Sequence, residues 1–256
     1  MANNWTREQL LLALGLYCEI PFGQFHQNNP KIIAAAEAIG RTPSALAMKL
    51  SNLASLDPDI TGSGRSGLPG ASAADRAIWG EFMAGTNHLM PEIAVQVEQH
   101  RINPEAYGLE EDNYEGIKDY SASDIERKSK QRKGQNLFRD AVLTSYEFRC
   151  AVTGVSDTRL LVASHIKPWS KDSENRLNPR NGLCLSTFFD RAFDIGLVSF
   201  SEDLELLVSL ELKQQSENVH IRETFVAREG EKLLLPEKFS PGVGFLNWHR
   251  NHWFRQ

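Results

Sequence analysis

Three polar side chains between residues 160 and 195 have the types and the spacing that hydrolytic chemistry needs. His165 follows a short apolar run, residues 160–163, that favours a strand. An imidazole at a strand end can take up a proton near neutral pH. Asp190 and Asp194 are four residues apart, so a helix would carry both carboxylates on one side. Carboxylate oxygens are good ligands for hard cations, which suggests Mg²⁺ or Mn²⁺.

The surrounding residues predict the elements that would position these side chains. A helix with one apolar face comes first, and that face consists of Phe138, Ala141, Val142 and Tyr146. The strand at residues 160–163 is followed by a polar loop that includes residues 171–175. Residues 180–183 lead into a second apolar segment, and a helix can begin near Ser186.

Five motifs occur in order along this part of the chain. They are GQNLFR (134–139), RCAVTG (149–154), SHIKPW (164–169), NPRNGLCLS (178–186) and FDRAFDIGLVSF (189–200). Each motif alone is weak, but all five at matching spacing over residues 132–200 resemble the HNH nuclease family. Within that family they resemble specifically the branch found in many bacterial restriction-type endonucleases. It implies a ββα-metal fold, in which a two-stranded hairpin packs on a helix with one divalent metal between them.

The resemblance also implies a role for each polar side chain. His165 would be the general base that activates water, and Asn181 would fix the loop between hairpin and helix. Asp190 falls at or beside the position of the family's last histidine and would hold the metal, with Asp194 as a second ligand. The expected activity is that of a metal-dependent DNA endonuclease that hydrolyses phosphodiester bonds, in restriction or phage defence.

Three positions depart from the family pattern. Ser164 stands where many members have an aspartate or histidine that helps to hold the metal, so either its backbone carbonyl serves or the two aspartates carry the metal. The last histidine is missing, and Asp190 is the nearest replacement. Some relatives contain two CxxC pairs, whereas Cys150 and Cys184 lie in no such pair here. We therefore expect no structural zinc.

Basic residues near these motifs are candidates for contact with nucleic acid. Lys167, Arg180 and Arg191 could bind phosphates, although such residues also pair with local carboxylates. An acidic stretch, residues 105–119, is followed by a run with five basic residues in seven at 127–133. The candidates in this run are Lys128, Lys130, Arg132 and Lys133. A solvated helix face is the alternative interpretation of the run.

Residues 1–100 predict a helical domain. Thr42 can cap a helix that Pro43 begins, and a preceding helix starts at Pro30 and ends near Gly40. Two short helices joined by such a turn are typical of a helix-turn-helix. Lys49 and Asn52 would then lie on an exposed face and contact DNA. A small helical bundle that binds nothing is the alternative.

The predicted organisation is α+β: a helical domain at 1–100, a linker at 101–131 that ends in the basic run, and an HNH nuclease domain at 132–256. Beyond the site we expect strands near residues 197–200, 204–210 and 220–227. The last residues predict an amphipathic helix with Trp, His and Arg. His249 in that helix could lie near the site, but a helix that caps the domain is the favoured interpretation.

Composition excludes several other classes of protein. The chain has 256 residues and a net charge of −5, so it is not a basic protein that coats nucleic acid. No apolar run approaches the roughly 20 residues of a membrane span, and the N-terminus lacks the features of a signal peptide. Three distant cysteines form no disulfide framework. We expect a cytoplasmic protein whose partner is DNA.

Two rival functions follow from the same residues. A DNA-binding protein with a degenerate HNH site would account for Ser164 and Asp190, although two carboxylates at helical spacing argue against free drift. A nuclease that acts on RNA or structured nucleic acid is the second rival. For DNA, one metal site that cuts both strands usually requires two copies, so a homodimer is possible.

Overall fold

A computed structural model describes residues 4–100 and 122–255, with side chains described from residue 131 onward in the second range. The chain divides into two compact units, Met1–Leu137 and Phe138–Gln256. This division falls inside a helix, a few residues beyond the predicted boundary at 132. Most of the predicted linker, residues 101–121, lies outside the described residues.

The described part of the N-terminal unit is helical. Its helices are α1 (Arg7–Glu19), α2 (Pro30–Ala38), α3 (Pro43–Ala54), α4 (Pro58–Gly62), α5 (Ala73–Ala84) and α6 (Thr86–Gln99). Side-chain caps explain where several of them begin. Thr42 Oγ1 accepts a hydrogen bond from Ala45 N at 3.2 Å, and Pro43 occupies the first turn of α3. The predicted helices around Pro30 and Pro43 are therefore present.

The face of α3 that the sequence predicts to contact DNA is buried, not exposed. Lys49 is 6% exposed, and its Nζ forms an ion pair of 2.6 Å with the fully buried Asp75. Asn52 is also buried. The loop after α4 covers this face, since Leu68 N donates to Ser51 O at 3.1 Å. The prediction that Lys49 and Asn52 contact DNA is wrong, because both side chains point into the unit.

A long helix, α7 (Ala122–Ser145), contains the division between the units. The hairpin of the C-terminal unit pairs β1 (Leu161–His165) with β2 (Gly182–Ser186) in antiparallel register, with His165 opposite Gly182. Helix α8 (Thr187–Asp194) follows β2 directly and packs on both strands. This is the ββα arrangement, and the predicted α+β class is confirmed.

The rest of the C-terminal unit surrounds this hairpin and helix. Its elements are β3 (Val198–Phe200), β4 (Leu206–Val208), α9 (Leu210–Lys213), α10 (Val219–Thr224) and α11 (Val243–His252). The strand predicted near 220–227 is wrong, because Asn218 Oδ1 accepts bonds from His220 N and Ile221 N and starts α10 there. Among the described residues, no helix is long and apolar enough to cross a membrane.

Candidate active site

His165 occupies the last position of β1, at the end of the hairpin where the loop to β2 begins. Its Nε2 lies 2.8 Å from the backbone oxygen of Arg176. A carbonyl oxygen can only accept, so Nε2 carries the proton and Nδ1 presents a lone pair. No described residue forms a hydrogen bond with Nδ1. The side chain is therefore held in the tautomer that a general base requires.

Two aromatic rings hold the imidazole of His165 in place. Phe138 stacks on it with centroids 4.4 Å apart and planes 10° apart. Trp169 meets it edge-on at 5.7 Å. Burial among these groups lowers the pKa of His165, and both the Arg176 carbonyl and the charge of Asp190 oppose that shift. The imidazole is thus neutral at pH 7, ready to accept a proton.

Asn181 is fully buried and fixes the loop that follows His165. Its Oδ1 accepts a hydrogen bond from Lys167 N at 2.8 Å. Its Nδ2 donates to Lys167 O at 3.1 Å and to Asn175 O at 3.3 Å. The side chain therefore ties together both ends of the loop that joins β1 to β2, and it forms no hydrogen bond with His165. The predicted loop between hairpin and helix is wrong, because α8 follows β2 directly.

Further contacts keep the Arg176 carbonyl in position. Arg176 Nε donates to Trp169 O at 3.0 Å, and its guanidinium lies 5.1 Å from the centroid of the Trp169 ring. Asp172 accepts from Asn175 N and Nδ2, both at 3.1 Å. The role of Arg176 is missed by sequence reasoning, because it acts through a backbone oxygen that every residue has.

The Asp190 carboxylate of α8 lies near β1, since both Ser164 and His165 act on its pKa. Burial raises the pKa of Asp190, while the Ser164 hydroxyl and the charge of His165 oppose the shift. Asp194 is exposed, but partial burial of its carboxyl and the negative charge of Asp190 raise its pKa to about 6. The surroundings therefore disfavour the charged form of each carboxylate, and a bound cation would favour it.

The neighbouring Ser164 completes this group of oxygens. Ser164 is buried, and its Oγ has no hydrogen-bond partner among the described residues, although the hydroxyl is near enough to affect Asp190. A buried hydroxyl near the Asp190 carboxylate that forms no hydrogen bond with a described residue is costly. The preceding position on α8 does not contribute, since Phe189 is buried against Phe225 at 5.1 Å.

A hard cation fits the chemistry of this donor set. Ser164 Oγ has no hydrogen-bond partner in the part of the chain that the structure describes, and Asp190 and Asp194 repel one another, so a bound cation would relieve both costs. No group of three His, Cys, Asp or Glu side chains in the described ranges is arranged to hold a metal. The remaining ligands would then have to come from backbone, water or substrate, as is common for Mg²⁺.

The basic candidates of the C-terminal unit differ in their availability. Lys167 pairs with Asp172 at 3.1 Å. Arg180 directs Nη1 toward Ser240 O at 3.5 Å. Arg191 is exposed on α8 and forms no ion pair with a described residue. Of these three residues, Arg191 is the one most accessible to a phosphate.

The basic run is only partly within the described side chains. Arg132 is exposed, and Lys133 forms an ion pair with Glu98. The side chains of Lys128 and Lys130 lie outside what the structure describes.

The structure also explains the positions of Cys150 and His249. The Sγ of Cys150 accepts from Ser186 N at 3.2 Å and from Thr153 N at 3.5 Å, so backbone amides surround this buried thiol. His249 is buried, stacks on Phe193 and bonds to its carbonyl. Its role is to pack α11 against the unit.

One segment of the chain matches a known protein family. Residues 150–201, which include β1, β2 and α8, match the model of a family described as HNH endonuclease. This confirms the predicted resemblance for that segment. A solved structure titled "Modification dependent TagI restriction endonuclease" has 17% sequence identity and a TM-score of 0.33. The match covers 44% of this chain and 36% of that chain, so about a third of that protein is spanned. No curated protein matches the chain.

Proposed function

We propose that the chain is a metal-dependent DNA endonuclease that hydrolyses phosphodiester bonds in restriction or phage defence. The observation that carries the proposal is the bond from His165 Nε2 to the Arg176 carbonyl, which leaves Nδ1 as a proton acceptor. Asp190 is near enough for its charge to act on the same imidazole. A base at a strand end with a helix carboxylate near it, within a segment similar to HNH endonucleases, suits phosphodiester hydrolysis.

The general base in this proposal is His165. Its Nδ1 accepts a proton from a water molecule as the water oxygen attacks phosphorus, and the bond from phosphorus to the leaving oxygen then breaks. The stack on Phe138 and the contact with Trp169 keep the ring in one orientation. Burial keeps the ring neutral before the reaction, so the base is in its active form at neutral pH.

Asp190 and Asp194 would hold the cation, with Ser164 beside them. When bound, Mg²⁺ or Mn²⁺ would stabilise negative charge on the non-bridging and leaving oxygens. Asn181 preserves the loop geometry that presents the Arg176 carbonyl to His165. Arg191 is placed to neutralise a phosphate close to these carboxylates.

The N-terminal unit is proposed to bind or select DNA. The capped pair α2 and α3 supports this assignment, because its lengths and short connection suit a helix-turn-helix. Lys49 and Asn52 no longer belong to that proposal. One site cuts one strand at a time, so cleavage of both strands would require two copies of the chain.

The test is a cleavage assay on plasmid DNA, on phage DNA with modified bases and on RNA. Each substrate is incubated with Mg²⁺, Mn²⁺ or EDTA. The variants are His165→Ala and Asp190→Ala, with His220→Ala and Asp203→Ala as matched controls because both control residues are exposed in the same unit. We expect metal-dependent cleavage of DNA that both site variants lose and both controls keep.

Other results would point elsewhere. Binding of DNA without cleavage under any metal would favour a DNA-binding protein with a degenerate site. Cleavage of RNA alone would assign a different substrate. Cleavage that survives His165→Ala would show that the active site lies elsewhere.

A further inference from the structure

The end of the chain carries a group of stacked aromatic rings, Trp248, His252 and Trp253, which we call the aromatic cluster. Trp248 is the shared ring: His252 stacks on it with centroids 5.2 Å and planes 11° apart. Trp253 lies 6.1 Å from it with planes 29° apart. His252 Nδ1 also donates to Trp248 O at 2.9 Å, which fixes that ring on the helix.

The aromatic cluster is attached to the candidate active site at two points. Lys167, two residues after the general base, places Nζ 5.6 Å from the centroid of the Trp248 ring. On the other side, Trp253 Nε1 donates to the backbone oxygen of Asp194 at 2.5 Å. The cluster therefore borders both the loop after His165 and the end of α8.

The backbone at the end of α8 is built to seat this segment. Gly196 has φ +74°, and a Cβ there would lie 2.1 Å from Trp253 O. Arg255 N donates to Gly196 O at 2.9 Å. A glycine is required at this close approach, so the position of Trp253 relative to Asp194 is fixed.

Packing of the unit does not explain the cluster. Helix α11 is anchored in the core by Leu246 and His249, which are 3% and 1% exposed. His252 and Trp253 are exposed, and Trp253 keeps 36% of its surface accessible. Exposed rings held rigid beside the candidate active site offer flat apolar faces on which a planar group can stack.

We propose that the aromatic cluster stacks on a nucleobase next to the phosphodiester that is cut; this inference rests on the proposed function. Nucleobases stack on aromatic side chains whatever their sequence, and a nearby cation such as Lys167 suits the adjoining phosphate. In a duplex, both faces of a base are covered by neighbouring bases. The occupant is therefore a base outside the stack, either in a single strand or extruded from a duplex.

The test measures binding of the full chain in EDTA, so that cleavage does not interfere. The probes are three fluorescent oligonucleotides: a single strand, a blunt duplex and a duplex with one bulged base. The variants are His252→Ala, Trp253→Leu and Trp253→Phe. Phe148→Ala is the matched control, because Phe148 is an aromatic residue of the same unit with similar exposure, 38%.

We expect His252→Ala and Trp253→Leu to weaken binding of the single strand or the bulged duplex by about 5- to 150-fold. Trp253→Phe keeps an aromatic face and should retain most of the affinity, and Phe148→Ala should bind like the original chain. The dependence of affinity on salt should stay unchanged, because no phosphate contact is removed. The probe whose affinity falls shows whether the base comes from a single strand or is extruded from a duplex.

Two results would overturn the inference while leaving the nuclease intact. One is cleavage of DNA by the original chain together with unchanged binding by His252→Ala and Trp253→Leu. The other is an equal loss of binding in Trp253→Phe and Trp253→Leu, which would show that only the indole N–H to Asp194 matters. A chain that neither binds nor cuts any nucleic acid would overturn the proposed function and this inference together.

Discussion

Two histidines of the C-terminal unit, His165 and His249, lie in similar surroundings. Each stacks on a phenylalanine: His165 on Phe138 at 4.4 Å, and His249 on Phe193 at 3.7 Å. Each has Nε2 hydrogen-bonded to a backbone carbonyl, that of Arg176 at 2.8 Å or that of Phe193 at 3.1 Å. In both cases, burial lowers the pKa of the imidazole.

The two histidines differ in what contacts the second ring nitrogen, Nδ1. Ser199 Oγ lies 3.0 Å from Nδ1 of His249 and donates to it, so both nitrogens of that ring are occupied. No described residue occupies Nδ1 of His165, and the charge of Asp190 acts on that ring. A neutral, stacked histidine can thus serve packing or proton transfer, and the partner of one nitrogen decides which.

The largest expected effect concerns catalysis. His165→Gln should lower kcat by about 10²- to 10⁴-fold, because the variant lacks the general base. His249→Gln should leave kcat nearly unchanged as long as the protein is folded, since His249 contacts neither substrate nor a site carboxylate. Cleavage rates would be measured at a temperature where circular dichroism shows both variants folded. Equal losses of kcat in the two variants would contradict the different roles assigned to the two histidines.

The second effect concerns acid stability. The pKa of His249 is lowered to about 4 by burial, against an ordinary value of about 6.5. Between these values the unfolded chain binds a proton that the folded chain excludes, so stability is complete above 6.5 and falls as the pH approaches 4. Acidification through both values lowers the free energy of unfolding by about 3 kcal/mol because of His249.

Urea unfolding at pH 7, 5.5 and 4 would measure this loss. His249→Gln should be less stable at pH 7 but should lose less on acidification, since Gln does not titrate. His220→Gln is the control, because His220 is an exposed histidine of the same unit. If His249→Gln loses as much on acidification as the original chain, the buried neutral histidine is not the cause.

The third effect concerns the loop after His165, which has no counterpart next to His249. Asn181→Ala removes the bonds to Lys167 and Asn175 and should lower kcat by about 100-fold, because a displacement of about 1 Å costs that much. KM should change less than kcat. The control is Asn52→Ala in the other unit, where a buried Oδ1 has no hydrogen-bond partner among the described residues. A loss confined to KM would contradict a positioning role.

The order of the motifs allowed much of the C-terminal site to be predicted. A strand that ends at His165 and a helix that carries Asp190 follow from apolar pattern and spacing, and the charge of Asp190 does act on His165. The role of Arg176 could not be predicted, since a carbonyl oxygen leaves no mark in the sequence. The stack on Phe138 depends on how α7 packs against the hairpin, which spacing alone does not specify.

The N-terminal unit shows where the same reasoning fails. Helical periodicity assigns faces relative to one another, but the face that is exposed depends on what packs over it. The loop after α4 covers α3 through Leu68, and Asp75 of α5 pairs with Lys49. Neither contact follows from the spacing of residues in α3. A polar residue on a helix is therefore weak evidence for function until the packing over its face is known.

The smallest expected effect compares the serine beside each histidine. Ser199→Ala leaves Nδ1 of His249 buried without a donor, which should cost about 1–3 kcal/mol of unfolding free energy. Ser164→Ala removes a hydroxyl that has no hydrogen-bond partner among the described residues, so the metal-free protein should lose little stability or gain some. Thermal unfolding with EDTA and then with Mg²⁺ separates the two serines. If Mg²⁺ stabilises the original chain more than Ser164→Ala, the unpartnered hydroxyl belongs to the cation site, whereas equal stabilisation would exclude it.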